Sequence, residues 1–248
     1  MHITPFTELY EPEVYVDFGI PVEYPESDGR PVAESDFQLR WIVYLLSALR
    51  QFFQHQDKTY VSGDLLIYFE KGNPHARVAP DIFIVHGVGN HFRPSYKMWE
   101  ECNTPPSFVL ELLSPSTAWR DRTEKKALYE HLGVTEYILF DPVGTLVDPI
   151  LHGFRLIDGH YEPIADVSSD PDTQIIPCET IGLELHVADD MLKLFDPASQ
   201  SYLLGYKESE QKRLESEQKR IESEQKRLAA EARIAKLEAR LRELGEDI

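Results

Sequence analysis

Charged side chains interrupt two strand-like runs of apolar residues, and their residue types suit metal-ion binding. Asp81 opens the run DIFIV directly after Pro80, and Glu111 lies inside the run FVLELL. A carboxylate in an apolar strand costs several kcal/mol unless it is paired, protonated or bound to a cation. Adjacent strands lie about 4.8 Å apart, so carboxylates on two neighbouring strands would form a site for a hard divalent cation, Mg²⁺ or Mn²⁺. Either residue taken alone would be better explained as a turn acid or an edge-strand surface residue.

A helix predicted after Glu111 adds two further charged side chains. At 100° per residue, Asp121 points toward the apolar face of that helix, which Tyr129 flanks, and Lys125 lies within roughly 40° of the centre of the face. Lys126 points away toward solvent. Asp121 and Lys125 therefore either belong to a catalytic site or form a partly buried i,i+4 ion pair that only holds the helix to the sheet.

Two carboxylates and a lysine around a metal ion suit the hydrolysis of a phosphodiester bond. The metal binds a non-bridging oxygen and acidifies a water, while the lysine holds or activates that water and neutralises developing charge. We predict three groups of site residues: catalytic Asp81, Glu111 and Lys125, supporting Asp121 and Tyr129, and phosphate-binding Arg120, Arg122 and Lys126.

The charge of the chain excludes a general nucleic-acid coat protein. Its 248 residues include 25 Lys and Arg against 43 Asp and Glu, a net charge of -18, whereas phosphate binding relies on clustered basic residues. Residues 1–206 contain 14 basic and 32 acidic residues, and four of those basic residues fall between positions 120 and 126. We therefore expect any contact with DNA to be local, bridged by metal or dependent on a partner.

The elements that must position these residues follow from the hydrophobic periodicity. Apolar residues recur every three or four positions from Ser35 to about His55, which predicts a helix. The later predicted elements are strands Thr59–Phe69, Asp81–Val85 and Ser107–Leu113, a helix from the loop Ser114–Thr117 to Leu132 before Gly133, strand Glu136–Phe140, and hairpins Gly153–Ile164 and Leu183–Phe195, the latter turning at Asp189–Asp190. The order α-β-β-β-α-β followed by hairpins indicates an α/β fold with a mixed sheet and a long C-terminal helix.

Three segments are predicted along the chain: an acidic N-terminal arm over 1–31, a folded domain over 32–197 and a helical tail over 198–248. The tail contains three copies of a seven-residue repeat, ESEQKRL or ESEQKRI, over 208–228, which is typical of an ion-paired helix. Leu214, Ile221 and Leu228 give one apolar residue per heptad, half of a coiled-coil seam, and a fuller apolar stripe follows over 234–244. A solitary helix remains open, but the final stripe favours a coiled coil that joins copies of the chain, or a partner, through 208–244.

The sequence indicates neither a membrane segment nor an oxidising compartment. Cys102 and Cys178 lie far apart without metal-binding spacing, and Met1–Glu13 has neither a basic start nor a long apolar run. The longest apolar stretch, Trp41–Leu49, is far shorter than the roughly 20 residues of a membrane helix. We expect a cytoplasmic protein.

The site residues also fall in a pattern that resembles the Uma-type family of restriction-endonuclease-like proteins, within the PD-(D/E)xK nuclease superfamily. The resemblance covers about residues 32–197 and rests on Pro80–Asp81, Glu111, Ser114–Thr117, Asp121, Lys125, Tyr129, Gly133–Val134, Glu136–Tyr137 and Asp141–Pro142. It implies a restriction-endonuclease-like αβββαβ core and metal-dependent cleavage of DNA. Leu113 stands where the superfamily expects its lysine, and the resemblance implies that this lysine has moved to the following helix as Lys125. It also implies a metal-binding glutamate near the first helix, for which Glu34 is the best match.

Two functions of different class follow from the sequence. The first is a divalent-metal-dependent endonuclease that hydrolyses phosphodiester bonds in DNA, and the second is a non-catalytic module with a nuclease fold that assembles with a partner through its C-terminal coiled coil. The intact set of Asp81, Glu111 and Lys125 favours the first, whereas the net charge of -18 keeps the second open.

Overall fold

The computed structural model describes residues 36–188 and 191–243. The predicted acidic arm over 1–31, the candidate metal ligand Glu34 and the predicted turn at Asp189–Asp190 lie outside the described residues. The chain divides into two compact units, the first ending at Leu203 and the second beginning at Leu204.

The described part of the chain alternates short strands with helical segments. The helical segments are α1 (Asp36–Phe52), a 3₁₀ turn (Met98–Glu100), α2 (Ala118–Arg120), a π-helical turn (Asp121–Lys125), α3 (Lys126–Leu132) and α4 (Tyr206–Glu243). The strands are β1 (Thr59–Ser62), β2 (Ile67–Tyr68), β3 (Arg77–Val78), β4 (Ile82–His86), β5 (Tyr96–Lys97), β6 (Phe108–Leu112), β7 (Glu136–Phe140), β8 (Leu151–Ile157), β9 (His160–Pro163), β10 (Thr173–Cys178), β11 (Leu183–Ala188), β12 (Met191–Asp196) and β13 (Ser201–Tyr202).

A six-stranded mixed sheet lies at the centre of the first unit. Its strand order is β1-β4-β6-β7-β8-β9, in which β6 and β7 run parallel and the other neighbouring pairs run antiparallel. The order α1, β1, β4, β6, α2–α3, β7 along the chain confirms the predicted α-β-β-β-α-β core of an α/β fold. The neighbouring positions of β4 and β6 also confirm that the strands after Pro80 and around Glu111 lie side by side.

The two faces of the central sheet pack against different layers. Side chains at alternate strand positions point to opposite faces, so residues such as Ile82 and Leu110 pack with Trp41 and Leu45 of α1 and with the four-stranded sheet β10-β11-β12-β13. On the other face, residues such as Val109 pack against Tyr129 of α3. The charged candidates lie within this second layer, beside an apolar core.

The helical region after β6 is not a regular α-helix. Residues Asp121–Lys125 form a π-helical turn between α2 and α3, and Gly133 ends α3 in the left-handed conformation with φ of 82°. Wider turns of this kind occur often at functional sites because they re-aim the side chains that follow.

The predicted single strand Thr59–Phe69 is wrong. The chain leaves β1 at Gly63, Asp64 adopts a φ of 47°, and β2 then joins a separate three-stranded sheet with β3 and β5. The predicted hairpins are present as β8–β9 and β11–β12, and β10 extends the second of them on its other edge. The first unit also includes β13, a short strand beyond the predicted boundary at Pro197.

The second unit contains the single long helix α4, as the heptad repeat predicts. Glutamate–arginine pairs three residues apart, Glu210–Arg213 and Glu217–Arg220, line its surface. Its repeat residues Leu214, Ile221 and Leu228 are 51%, 45% and 53% exposed. None of the described helices combines the length and the apolar character needed to cross a membrane.

Candidate active site

Asp81 and Glu111 lie opposite each other at the edge of the central sheet where β4 begins and β6 ends. The register pairs Ile82 of β4 with Leu110 of β6, and its continuation places Asp81 beside Glu111. The Asp81 backbone N–H donates to Glu111 Oε2 over 3.2 Å, and the Leu112 N–H donates to Asp81 Oδ2 over 2.6 Å. The two carboxylates are therefore fixed by reciprocal backbone bonds before any ligand arrives.

A glycine directly after β1 allows the chain to approach Asp81 closely. A Cβ atom added to Gly63 would collide with the backbone carbonyl oxygen of Asp81, which is too close for any residue but glycine. The Asp64 N–H donates to the carbonyl of Pro80 over 2.9 Å and holds the two segments together. The turn that breaks the predicted strand after β1 thus positions Asp81.

Glu111 is fully buried and contacts two side chains of the helical region. Its Oε1 lies 2.9 Å from Lys125 Nζ and accepts a 2.7 Å hydrogen bond from the Tyr129 hydroxyl. Burial raises the pKa of Glu111 to about 8, and Asp81 and Asp121 raise it further against the lowering effect of Lys125. Burial also raises the pKa of Tyr129, so its hydroxyl keeps the proton that it donates.

Lys125 joins the helical region to the strands. Its Nζ contacts Asp121 Oδ1 at 3.0 Å as well as Glu111, and its side chain is only 14% exposed. Burial alone would lower the pKa of Lys125, but the attraction of Glu111, Asp121 and Asp81 outweighs burial and raises it. The ammonium group therefore stays charged. The inward orientation predicted for Lys125 and Asp121 is present in the structure.

The donor set at this edge suits a hard divalent cation. Three carboxylates, Asp81, Glu111 and Asp121, surround one ammonium group, so the cluster carries excess negative charge when all of them are ionised. Among the described residues, no group of three or more His, Cys, Asp or Glu side chains forms a ready-made metal cluster. Mg²⁺, however, needs only one or two protein carboxylates, because water and phosphate oxygens complete its shell. Asp81 and Glu111 are the two carboxylates that fit this requirement.

Sequence reasoning assigns no role to two side chains that support the site, although Tyr137 belongs to the family pattern. The Gln38 amide on α1 donates to the Leu112 carbonyl over 3.4 Å, and the Tyr137 hydroxyl on β7 donates to the Asp121 carbonyl over 2.8 Å. Tyr137 could have been found from its place in a parallel strand next to Glu111. Gln38 could not, because its role depends on how α1 lies on the sheet.

The three predicted phosphate-binding residues have different surroundings. Arg120 is exposed and pairs with Glu124 at 3.4 Å. Arg122 and Lys126 instead line a pocket of about 210 Å³ together with Leu139, His152 and Phe154. The prediction that Lys126 points to solvent is wrong, since it is half-buried with Nζ 3.7 Å from the centre of the Phe154 ring. Strand β8, far along the chain, covers the side of the helix that a helical wheel leaves open.

Comparisons with family models and with solved structures both give matches to this chain. The model of the Uma2 family, described as "Putative restriction endonuclease", matches residues 13–188. A comparison with curated proteins gave no match. A crystal structure described as a putative nuclease belonging to DUF820, from Anabaena variabilis, is 16% identical in sequence, with a TM-score of 0.41 over 67% of this chain and 81% of that one.

The family match includes Asp81, Glu111, Asp121, Lys125 and Tyr129, the residues that meet at the sheet edge. It spans more than half of the chain. The chain therefore belongs to the Uma2 family.

Proposed function

We propose that this protein is a divalent-metal-dependent endonuclease that hydrolyses phosphodiester bonds in DNA. The observation that carries the proposal is the convergence of Asp81, Glu111 and Lys125, which three different elements bring to one edge of the sheet. An ion pair that served only to hold the helix would require Asp121 and Lys125 alone. The contact of Lys125 with a fully buried Glu111, itself joined to Asp81, supports a site built for chemistry.

Each residue has a role that follows from its surroundings. Asp81 and Glu111 would hold Mg²⁺ or Mn²⁺, which supplies a Lewis acid for the phosphate and a more acidic bound water. Lys125, charged and nearly buried, would orient the attacking water and stabilise negative charge that develops on the phosphate oxygens. Tyr129 and Asp121 fix the directions of Glu111 and Lys125 through their contacts with them. Glu34 remains a proposed additional metal ligand.

Metal titration by calorimetry tests the proposal directly. We expect wild type to bind Mn²⁺ at a measurable site, and Asp81→Asn to lose that site while still folding. Asp57→Asn is the matched control, since Asp57 is an exposed acid whose contact with Asn90 uses only its backbone carbonyl. Wild type that binds no divalent ion, or an equal loss in both variants, would contradict the metal site.

The second candidate function, a non-catalytic module that assembles through α4, is favoured by a separate observation. Leu214, Ile221 and Leu228 recur every seven residues and are each about half exposed. One apolar residue per heptad supplies half of a coiled-coil seam, and its exposure leaves it available to a second helix. We propose that α4 joins copies of this chain, and this assembly is compatible with nuclease activity in the first unit. An assembled protein that neither binds metal nor cleaves DNA would favour the non-catalytic module.

A further inference from the structure

The pocket that contains Lys126 lies on the same row of the sheet as the candidate active site. The strand register pairs Glu111 with Leu139 and Leu139 with His152. Directly paired residues project to the same face, so His152 lies on the face that carries Glu111. Two strand spacings of about 4.8 Å separate their backbones, which gives a distance of about 10 Å. The pocket is thus a direct neighbour of the metal-binding edge.

The pocket is basic in a chain that is otherwise acidic. Its lining, as far as the structure describes it, consists of Arg122, Lys126, Leu139, His152 and Phe154, without a carboxylate. Residues 1–206 contain 32 acidic residues against 14 basic ones, so this local reversal of charge stands out from the surrounding surface. A pocket of this composition attracts an anion.

Two of the basic groups of the pocket, Lys126 and His152, are partly buried, whereas Arg122 is exposed. Burial lowers the pKa of Lys126, although nearby Glu130 raises it. Burial and the charges of Arg122 and Lys126 also lower the pKa of His152, against the opposing effect of Asp148. A bound anion would therefore replace solvation that Lys126 and His152 have lost, while the His152 ring is held by a hydrogen bond to the Pro149 backbone.

The apolar part of the lining indicates that the ligand contains an apolar group as well as a charged one. Leu139 and the Phe154 ring also line the pocket, and neither offers a hydrogen-bond donor to an anion. A phosphate that is attached to a sugar would use both kinds of lining, with the charged group on Arg122 and Lys126 and the apolar surface of the sugar against Leu139 and the part of the Phe154 ring that Lys126 leaves uncovered.

We infer that this pocket binds an internucleotide phosphate of the DNA strand, a few nucleotides from the bond that is cleaved, and so fixes the register of the strand on the enzyme. The inference rests on the proposed function, because it takes the substrate to be DNA. Phosphates of one strand follow each other about every 3.4 Å along the axis of a duplex and lie farther apart along the winding strand, so a separation of about 10 Å keeps the pocket within a few nucleotides of the cleaved bond. The pocket would hold the strand while Asp81, Glu111 and Lys125 act on the bond nearby.

Binding of DNA oligonucleotides in EDTA tests the pocket without metal or cleavage. Each oligonucleotide carries one neutral methylphosphonate in place of one phosphate, and the position is moved along the strand. We expect one position at which the replacement weakens wild-type binding about tenfold. At that position the replacement should have little effect on Lys126→Gln or Arg122→Gln, which already lack one side of the contact.

Arg120→Gln is the matched control, because it removes the same charge from the same helical region but lies outside the pocket, paired with Glu124. In Arg120→Gln, the methylphosphonate at the same position should still weaken DNA binding. The same effect should persist in Lys126→Arg, and this result would separate loss of the phosphate contact from misfolding of Lys126→Gln. Lys126→Gln and Arg122→Gln should each also reduce the salt slope of binding by about one, whereas Lys126→Arg keeps the charge and should not.

Three results would overturn the inference: no binding of DNA by wild type, no position that depends on Lys126, or equal effects of Arg120→Gln and Arg122→Gln. The first would leave the metal site to be judged by calorimetry alone. The other two would leave cleavage and metal binding untouched and would mean that the basic residues act only as a diffuse charge. Conversely, if calorimetry detects no metal binding, DNA binding should still depend on the same phosphate and on Lys126.

Discussion

Lys125 Nζ lies 2.9 Å from Glu111 Oε1, and this contact links the π-helical turn to the strand that faces Asp81. A buried ion pair is weak evidence for stability, because the cost of removing both charges from water offsets most of their attraction. The same arrangement has a clear use in catalysis, since a charged ammonium held beside two carboxylates can act on a phosphate that a metal ion binds. Mutation of Lys125 separates these interpretations.

Lys125→Ala should lower the rate of DNA cleavage at saturating DNA and metal by roughly a hundredfold, the loss typical of one transition-state charge donor. Lys126→Ala should act mainly on DNA affinity, through the pocket. Lys71→Ala, in an exposed turn between β2 and β3, controls for loss of a lysine charge. Equal small effects of Lys125→Ala and Lys71→Ala would mean that Lys125 is only an ion-pair partner of Asp121.

Tyr129→Phe should reduce both stability and metal affinity. The substitution removes the hydroxyl that donates to Glu111 Oε1 and leaves a buried carboxylate with one partner fewer, at a cost of about 1–3 kcal/mol in the free energy of unfolding. Urea unfolding and Mn²⁺ calorimetry measure the two effects.

Tyr137→Phe is the matched control for Tyr129→Phe. Tyr137 is equally buried and its ring stacks on Phe154, but its hydroxyl donates to the backbone of Asp121 instead of a candidate metal ligand. It should destabilise the fold to a similar degree and weaken metal binding less. Identical metal affinities in the two variants would contradict the role proposed for Tyr129.

The catalytic candidates could be found from the sequence because each one breaks a local rule. Asp81 and Glu111 interrupt apolar strands, and Lys125 lies on an apolar helix face. The periodicity also predicts the α-β-β-β-α-β core, since each of its elements has a clear pattern of its own.

Features that depend on tertiary packing could not be predicted. The helical wheel assumes 100° per residue, whereas the π-helical turn at Asp121–Lys125 has more residues per turn and so a smaller rotation per residue. The wheel also cannot show that Phe154 of β8 contacts Lys126. The break after β1 has a local signal, Gly63–Asp64, but an apolar run on both sides hides it. The strand β10 is not predicted from the sequence; it contains Pro177, a residue that sheets tolerate on an edge strand, and it forms at the edge of its sheet through pairing with β11.

Gly63→Ala should weaken metal binding indirectly, because Gly63 has no side chain that could bind the metal itself. The added methyl group would collide with the backbone carbonyl of Asp81, so either β1 or the start of β4 must move. We expect a loss of about 1–3 kcal/mol in stability, typical of overpacking, with weaker Mn²⁺ binding as Asp81 shifts. Gly89→Ala is the control, because there the nearest contact is the flexible ring of His91. Unchanged metal affinity in Gly63→Ala would show that Asp81 does not depend on this approach.

Ile221→Asp should disrupt self-association through α4. Ile221 is the middle residue of the exposed heptad stripe, and a carboxylate there would be buried in any helix–helix seam. Sedimentation velocity should give an oligomer for wild type and an increase of at least about tenfold in the dissociation constant for Ile221→Asp, since a buried unpaired charge costs more than 1.4 kcal/mol. Ser216→Asp adds the same charge to the other side of the helix and should leave the oligomer intact. A monomeric wild type would contradict the proposed assembly.

Asp141→Asn should destabilise the protein at neutral pH and matter less in acid. The fully buried Asp141 carboxylate follows β7 and accepts backbone N–H bonds from Val143, Gly144, Leu146 and Val147. Burial opposes the charged form, but these four bonds outweigh burial and lower the pKa of Asp141. A carboxyl whose folded pKa is lowered contributes stability above its unfolded pKa, about 3.9, and that contribution is lost as the pH falls through the folded value.

We expect Asp141→Asn to lose about 1–3 kcal/mol in the free energy of unfolding at pH 7, measured by urea unfolding, and its difference from wild type to narrow below about pH 4. Asp158→Asn, in the exposed turn between β8 and β9 with a φ of 51° that asparagine also tolerates, should match wild type at both pH values. A difference between wild type and Asp141→Asn that stays constant from neutral to acid pH would mean that the substitution acts through packing, and that the charge of Asp141 contributes nothing.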